Sequence, residues 1–155
     1  MRGKRAPKRN IQPDPVYSSV TVARFINVVL LHGKKSLAER YVYGALQSIS
    51  DSTKKPPLDV LEVALSNVRP SLEIRSRRVG GANYQVPVPV DERRQEALAL
   101  RWIVSAARKA KGKDFQVALA EELASAYKGE GQAVKTKQES ERMAEANKAF
   151  AHFRW

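Results

Sequence analysis

The sequence predicts a mainly α protein: a single bundle of about six helices, one protruding two-stranded β-hairpin, and a flexible basic N-terminal arm. Three observations predict it. Apolar residues recur at helical spacing in segments on both sides of residues 72–90. Residues 72–90 alternate with period two about Gly80-Gly81-Ala82-Asn83, which tolerate positive φ and let two strands fold back. Residues 1–15 carry Arg2, Lys4, Arg5, Lys8 and Arg9, no acid before Asp14 and almost no apolar side chain besides Ile11. The expected organisation is the arm at 1–15, a helical domain at 16–148 with its hairpin at 72–90, and an aromatic, basic tail at 149–155.

At 155 residues the chain suits one domain with a real core. Twenty-eight Lys and Arg against sixteen Asp and Glu leave a net charge of +12, which favours a polyanionic partner, nucleic acid before acidic lipid. Cysteine is absent, so no disulfide framework or Cys-based zinc site is available. No apolar run reaches the roughly 18–20 residues of a membrane span, and no signal-peptide core follows the basic N-terminus, so a cytoplasmic protein without a membrane partner is expected.

In chain order, the arm is expected to be disordered when free, because like charges repel and Pro7, Pro13 and Pro15 prevent a continuous helix. On a phosphate backbone its cations would each displace condensed counterions. The first helix is expected from about Val20 to Leu31, with Val22, Phe25, Ile26, Val29 and Leu30 on one stripe. Ser18 or Ser19 is its cap and Gly33 its stop. Its apolar surroundings make it the expected central helix. Gly33-Lys34-Lys35 is a basic turn without the upstream glycines of a phosphate loop, so no nucleotide site is expected there, and an exposed turn with no partner is one reading of it.

A second helix is expected over Ser36–Ile49, followed by a polar linker at 51–57. Asp59 with Glu62 resembles a capping box for a third helix carrying Leu58, Leu61, Leu65 and Val68, which Pro70 ends. In the hairpin, Leu72 and Ile74 lie on one face of the outgoing strand and Glu73, Arg75 and Arg77 on the other. Tyr84, Val86, Val88 and Val90 share a face of the return strand. Pro87 and Pro89 lose their N–H donors on the same edge, so that edge must face away from the partner strand. They also bar a third strand from adding there.

The fourth helix, after Asp91, buries Leu100, Ile103, Val104 and Ala107 and repeats Arg94, Arg101 and Arg108 every seven residues, beside Lys109. This row reads as nucleic-acid-facing, with salt-bridged solvation as the alternative. Asp114 is placed to cap a fifth helix to Tyr127, with Phe115, Ala118, Leu119 and Leu123 inward. A last helix, about Ala133–Asn147, has Ala133, Met143 and Ala144 as its apolar anchors. The tail offers Phe150, Phe153 and Trp155 either to the body or to a partner.

An active site is not expected. His32 and His152, the only histidines, lie far apart in sequence without ligand spacing, and His32 suits a helix C-cap. Glu121-Glu122 and Glu139-Ser-Glu141 sit among lysines in the manner of surface salt bridges. No enzyme activity, cofactor, metal or small-molecule substrate is anticipated.

Val79-Gly-Gly-Ala-Asn-Tyr-Gln-Val-Pro-Val88 resembles the hairpin of the bacterial small-subunit ribosomal protein seven family. The resemblance extends through Gly33-Lys-Lys35, Ala97-Leu-Ala-Leu-Arg-Trp102 and Met143-Ala-Glu-Ala-Asn-Lys-Ala-Phe-Ala-His-Phe-Arg-Trp155. These blocks stand in the family's order and cover nearly the whole chain. At Pro89 the chain departs from the acidic residue common in the family's Val-Pro-Val-Glu-Val. The resemblance implies an RNA-binding structural protein that binds small-subunit ribosomal RNA as a primary partner and nucleates assembly of the subunit head. Neighbouring head and platform ribosomal proteins are implied as further partners.

On that reading Arg2, Lys4, Arg5, Lys8, Arg9, Lys34, Lys35, Arg75, Arg77, Arg78, Arg94, Arg101, Arg108 and Lys109 contact RNA. The resemblance also places the hairpin tip, Gly80, Gly81, Ala82, Asn83 and Tyr84, near tRNA and mRNA at the exit site. It favours a tail ordered against RNA or a neighbouring protein. An architectural DNA-binding protein with a β-ribbon arm is the competing reading. A helical module for acidic protein partners is the third.

Overall fold

A computed structural model describes Gly3 and residues 10–153 of the chain. Its order is α1 (Val20–Val29), α2 (Lys35–Thr53), α3 (Pro57–Val68), β1 (Leu72–Val79), β2 (Ala82–Pro89), α4 (Glu92–Lys109), α5 (Phe115–Tyr127) and α6 (Gln132–Ala146). A 3₁₀ helix closes the described chain at Lys148–Phe153. The cations of residues 2–9 and the tail's Trp155 lie outside the described residues. The expected bundle with one hairpin is what the chain forms.

The helical periodicities convert directly into a core. Phe25 of α1, Leu46 of α2, Leu65 of α3, Leu100 and Ile103 of α4, and Leu119 and Leu123 of α5 are all fully buried. The central helix, however, is α5 and not α1. α5 packs against α2, α3, α4 and α6, whereas α1 rests on α2 and α4. Burial of Ala118 and Ala126 beside Leu119 and Leu123 explains the placement, because small side chains let several helices approach one axis.

α1 is shorter than its apolar run. It stops at Val29, Leu30 turns extended, and Leu31 is 53% exposed. His32 and Gly33 both take left-handed backbone, which ends the helix before the apolar residues do. Ser19 supplies the N-cap through its hydroxyl to the Val22 amide. α2 runs on to Thr53, across part of the expected linker. The hydroxyls of Ser52 and Thr53 bond to the Ile49 carbonyl, and Lys54 closes the end in left-handed backbone. α3 begins at Pro57, a residue whose fixed φ suits a first helical position, so Asp59 lies inside the first turn and no capping box forms. Asp114 holds the N-cap position of α5 without a side-chain bond to the helix.

α6 docks differently from its expected anchors. Met143 is 51% exposed, and Val134 is buried with Ala133 and Ala144 instead. The rest of its inward face is polar. Lys137 Nζ donates to the Asn67 carbonyl at 3.0 Å, Glu141 receives both the amide and the hydroxyl of Ser71 at 2.8 Å, and Glu122 of α5 accepts the Ala133 amide at 2.7 Å.

The strands form one antiparallel pair with Leu72 opposite Pro89 and Val79 opposite Ala82. Gly80 and Gly81, at φ 58° and 91°, make the two-residue turn, and Ala82 and Asn83 already belong to β2. The Val90 amide donates to the Ser71 carbonyl, which fixes the phase of the ladder. Alternation from there puts Pro89 and Pro87 at non-hydrogen-bonded positions, their ring nitrogens facing outward as their lost donors require. Residues directly opposite share a face, so Glu73, Arg75 and Arg77 lie on the same side as Val88, Val86 and Tyr84.

Candidate nucleic-acid interface

That shared face makes Glu73 the organising residue of the hairpin base. Glu73 is 9% exposed, beside fully buried Val86. Its two carboxylate oxygens are held apart by two arginines: Arg75 Nε donates to one at 2.6 Å, and Arg94 Nε, from α4, donates to the other at 3.1 Å. Burial pushes the carboxyl upward, but the two guanidinium bonds outweigh it and hold Glu73 below the ordinary carboxylate range. A depressed folded pKa contributes stability above the unfolded value, lost as pH falls through the folded one. Acidification below about 4 is therefore expected to release the hairpin base before the helices unfold. Amide NMR across pH 7 to 3 checks this, because Glu73, Arg75 and Arg94 signals must shift together.

Arg94 begins a row along α4. Arg94, Arg101 and Arg108 are all exposed, and seven residues of helix advance about 10 Å, so the row extends roughly 20 Å. At its far end Arg108 Nη2 donates to the Val29 carbonyl at 3.0 Å, occupying the C-terminus of α1 where His32 was the expected cap. Arg108 also lines an open groove of about 330 Å³ with His32 and Lys34, alongside Leu37, Tyr41 and Phe115. α4 thus joins two features that are far apart in sequence, the hairpin arginines at one end and the Lys34 turn at the other.

Within this band the candidate residues divide by what holds them. Arg75 and Arg94 share Glu73, Arg108 is bonded to backbone, and Lys35 lies 3.8 Å from Glu39. Lys34, Arg77, Arg78, Arg101 and Lys109 are exposed and form no salt bridge among the described residues. Arg78 lies opposite Asn83, on the other face of the ribbon from Arg75 and Arg77. The hairpin consequently presents cations on both sides. Its tip, Gly80-Gly81, carries no apolar wedge of the kind that a minor-groove ribbon inserts between base steps.

Sequence reasoning missed two things here. Glu73 reads as one more solvent-facing charge, although its i,i+2 spacing from Arg75 already puts both on one strand face. A second basic cleft, lined by Arg24, Asn27, Arg93 and Glu96 with Val28 and Leu100, lies between α1 and α4. Arg24 is paired there with Glu96. The signal for it was Glu96, an acid on the apolar side of an arginine-rich helix, which calls for a partner when buried.

The segment leading into α1 is tied down by Asp14. It is 3% exposed and accepts from the Val16 and Tyr17 amides and from the Tyr43 hydroxyl of α2. Burial and the Asp14 carboxylate together push the Tyr43 hydroxyl well above its usual pKa. Tyr41 meets Phe115 edge-on at 5.4 Å, and Trp102 packs against the core. These aromatics serve packing. Tyr84, by contrast, meets Phe150 and Phe153 of the 3₁₀ helix at ring distances of 5.3 and 4.9 Å, so the tail lies on the hairpin. Among the described residues no cluster of acids, histidines or cysteines could hold a metal ion, and no helix is long and apolar enough to cross a membrane.

The family described as ribosomal protein S7p/S5e matches residues 1–148 of this chain. The Thermotoga maritima protein named small ribosomal subunit protein uS7 is 56% identical over 155 residues, covering all of both chains. A protein of the same name from Nitrosococcus oceani is 56% identical over 148 residues, 96% of this chain and 95% of its own. The one from Nitrosospira multiformis is 56% identical over 154 residues, 99% of each.

Proposed function

The chain belongs to the ribosomal protein S7p/S5e family, and from that premise we propose that it is a primary ribosomal-RNA-binding protein that nucleates assembly of the small-subunit head. Its class is that of a structural, non-enzymatic protein of the small ribosomal subunit, part of the cytoplasmic ribosome. The helical body acts as a rigid scaffold, and the band from the hairpin through α4 to the Lys34 turn neutralises phosphates from several RNA strands at once. The observation that carries this reading is the set of exposed cations, Lys34, Arg77, Arg78, Arg101 and Lys109, without acidic partners among the described residues. Phosphate contacts position a protein more than they read bases, so selectivity comes from the shape of the folded RNA. A band roughly 20 Å long along α4 alone, extended by a hairpin at one end, suits a junction better than one straight duplex.

The N-terminal cations Arg2, Lys4, Arg5, Lys8 and Arg9 are assigned to the same RNA. The hairpin tip, from Gly80 to Tyr84, is assigned to tRNA and mRNA at the exit site, and neighbouring head and platform proteins complete the surroundings. Primary binding is tested by footprinting naked small-subunit ribosomal RNA with this protein alone. Protection of head-domain nucleotides without any other ribosomal protein is the expected result. Protection that arises only after other proteins are added would remove the nucleating role.

A further inference from the structure

The hairpin is an unlikely element to stand alone, since two strands without a larger sheet are marginal in water. Its base is gripped by two helices: Arg94 of α4 holds Glu73, and Glu141 of α6 holds Ser71. Grips confined to the base fix a position but leave the ribbon free to pivot. The second contact lies towards the tip. Tyr84 stands opposite Arg77, two residue pairs from the turn pair Val79–Ala82. Phe150 and Phe153 close on its ring, and neither belongs to the main core. Along β2, Tyr84 and the partner of Glu73, Val88, are four residues apart, about 14 Å of strand.

The tail is itself anchored where it needs to be. Asn147 Nδ2 donates to the Met143 carbonyl and the Phe150 amide donates to the Asn147 carbonyl, so the 3₁₀ helix continues from the end of α6. α6 is in turn bonded to Ser71 at the hairpin base. One continuous segment therefore touches the hairpin at both ends. We propose that Phe150 and Phe153 are positioning residues: the C-terminal segment is a brace that fixes the direction of the hairpin and holds Arg75 and Arg77 in place on it. The consequence for RNA affinity rests on the binding role proposed above, whereas the brace itself does not.

The test uses the full chain carrying Phe150→Ala and Phe153→Ala, with Phe150→Leu and Phe153→Leu as the conservative pair. Hydrogen exchange of the free protein is read first. The Tyr84 and Val86 amides, at ladder-bonded positions, are expected to exchange about tenfold faster in the Ala pair. Amides of α2 and α5 keep their rates, and the Leu pair recovers part of the protection. Unchanged exchange at Tyr84 and Val86 in the Ala pair would overturn the brace, as would equal acceleration throughout the helices. RNA affinity is read second, alone and combined with Arg77→Ala. A braced hairpin predicts that the Ala pair costs less affinity once Arg77 is gone. Faster hairpin exchange with unchanged RNA affinity would support the brace and contradict the hairpin's part in RNA binding.

Discussion

Leu119→Ala is expected to destabilise the fold by about 2–5 kcal/mol, more than any change to a surface charge. Leu119 is fully exposed to no solvent at all, at 0% relative accessibility, and lies on α5, which meets α2, α3, α4 and α6. Truncation there leaves a cavity inside the main hydrophobic core, and the helices packed around α5 cannot close it without losing contacts elsewhere. For a chain of this size each kcal/mol lowers the midpoint by roughly 2–4 °C, so thermal unfolding is expected to shift by about 4–20 °C. Val29→Ala, on the shorter α1 with fewer neighbouring helices, serves as the comparison and is expected to cost less. Equal losses at the two positions would contradict a core built around α5.

The sequence misplaced that centre for a physical reason. Apolar residues nearly all round α1 look like a central helix, but Leu31 follows the helix end and stays exposed. What α5 has instead is alanine, whose value lies in how near its neighbours come, and no single-chain periodicity measures that. The hairpin was legible because strand alternation, paired glycines and two prolines whose nitrogens face away from the partner strand all agree on one register. α6 was legible as a helix but not in its docking, since Lys137 and Glu141 reach backbone and side-chain partners about 70 residues away. Charged side chains that serve as anchors look, in sequence, the same as charged side chains that face water.

The candidate site follows the same division. Its cations were read from composition and spacing, and α4 does present Arg94, Arg101 and Arg108 on an exposed face. Their internal partners were not, because Glu73 and Val29 come from other elements. That distinction alters the choice of substitutions. Arg75, Arg94 and Arg108 contribute to the protein's own architecture, so replacing them mixes folding with binding. Arg77, Arg78 and Arg101 make no described ion pair and give the cleaner set.

Arg77→Ala, Arg78→Ala and Arg101→Ala together are expected to leave thermal stability within about 1 kcal/mol of the parent, since surface changes of this kind are usually small. RNA affinity is expected to fall strongly. Each lost phosphate contact lowers the slope of log affinity against log salt by about 0.7–0.9, so three contacts remove roughly 2–3 from it. The loss is largest at low salt and shrinks as ions screen the remaining cations. An unchanged slope would take the hairpin and α4 off the binding surface and leave RNA contact to other basic segments.

The most direct measurement is a salt-series titration of the full chain against a folded ribosomal RNA junction from the subunit head, with length-matched duplex DNA and scrambled RNA as competitors. The account predicts binding to the junction that survives excess of both competitors, with a steep salt slope that the triple arginine variant lowers by roughly 2–3. Equal affinity for junction, duplex and scrambled RNA would contradict it, because charge attraction without recognition of shape treats all three alike.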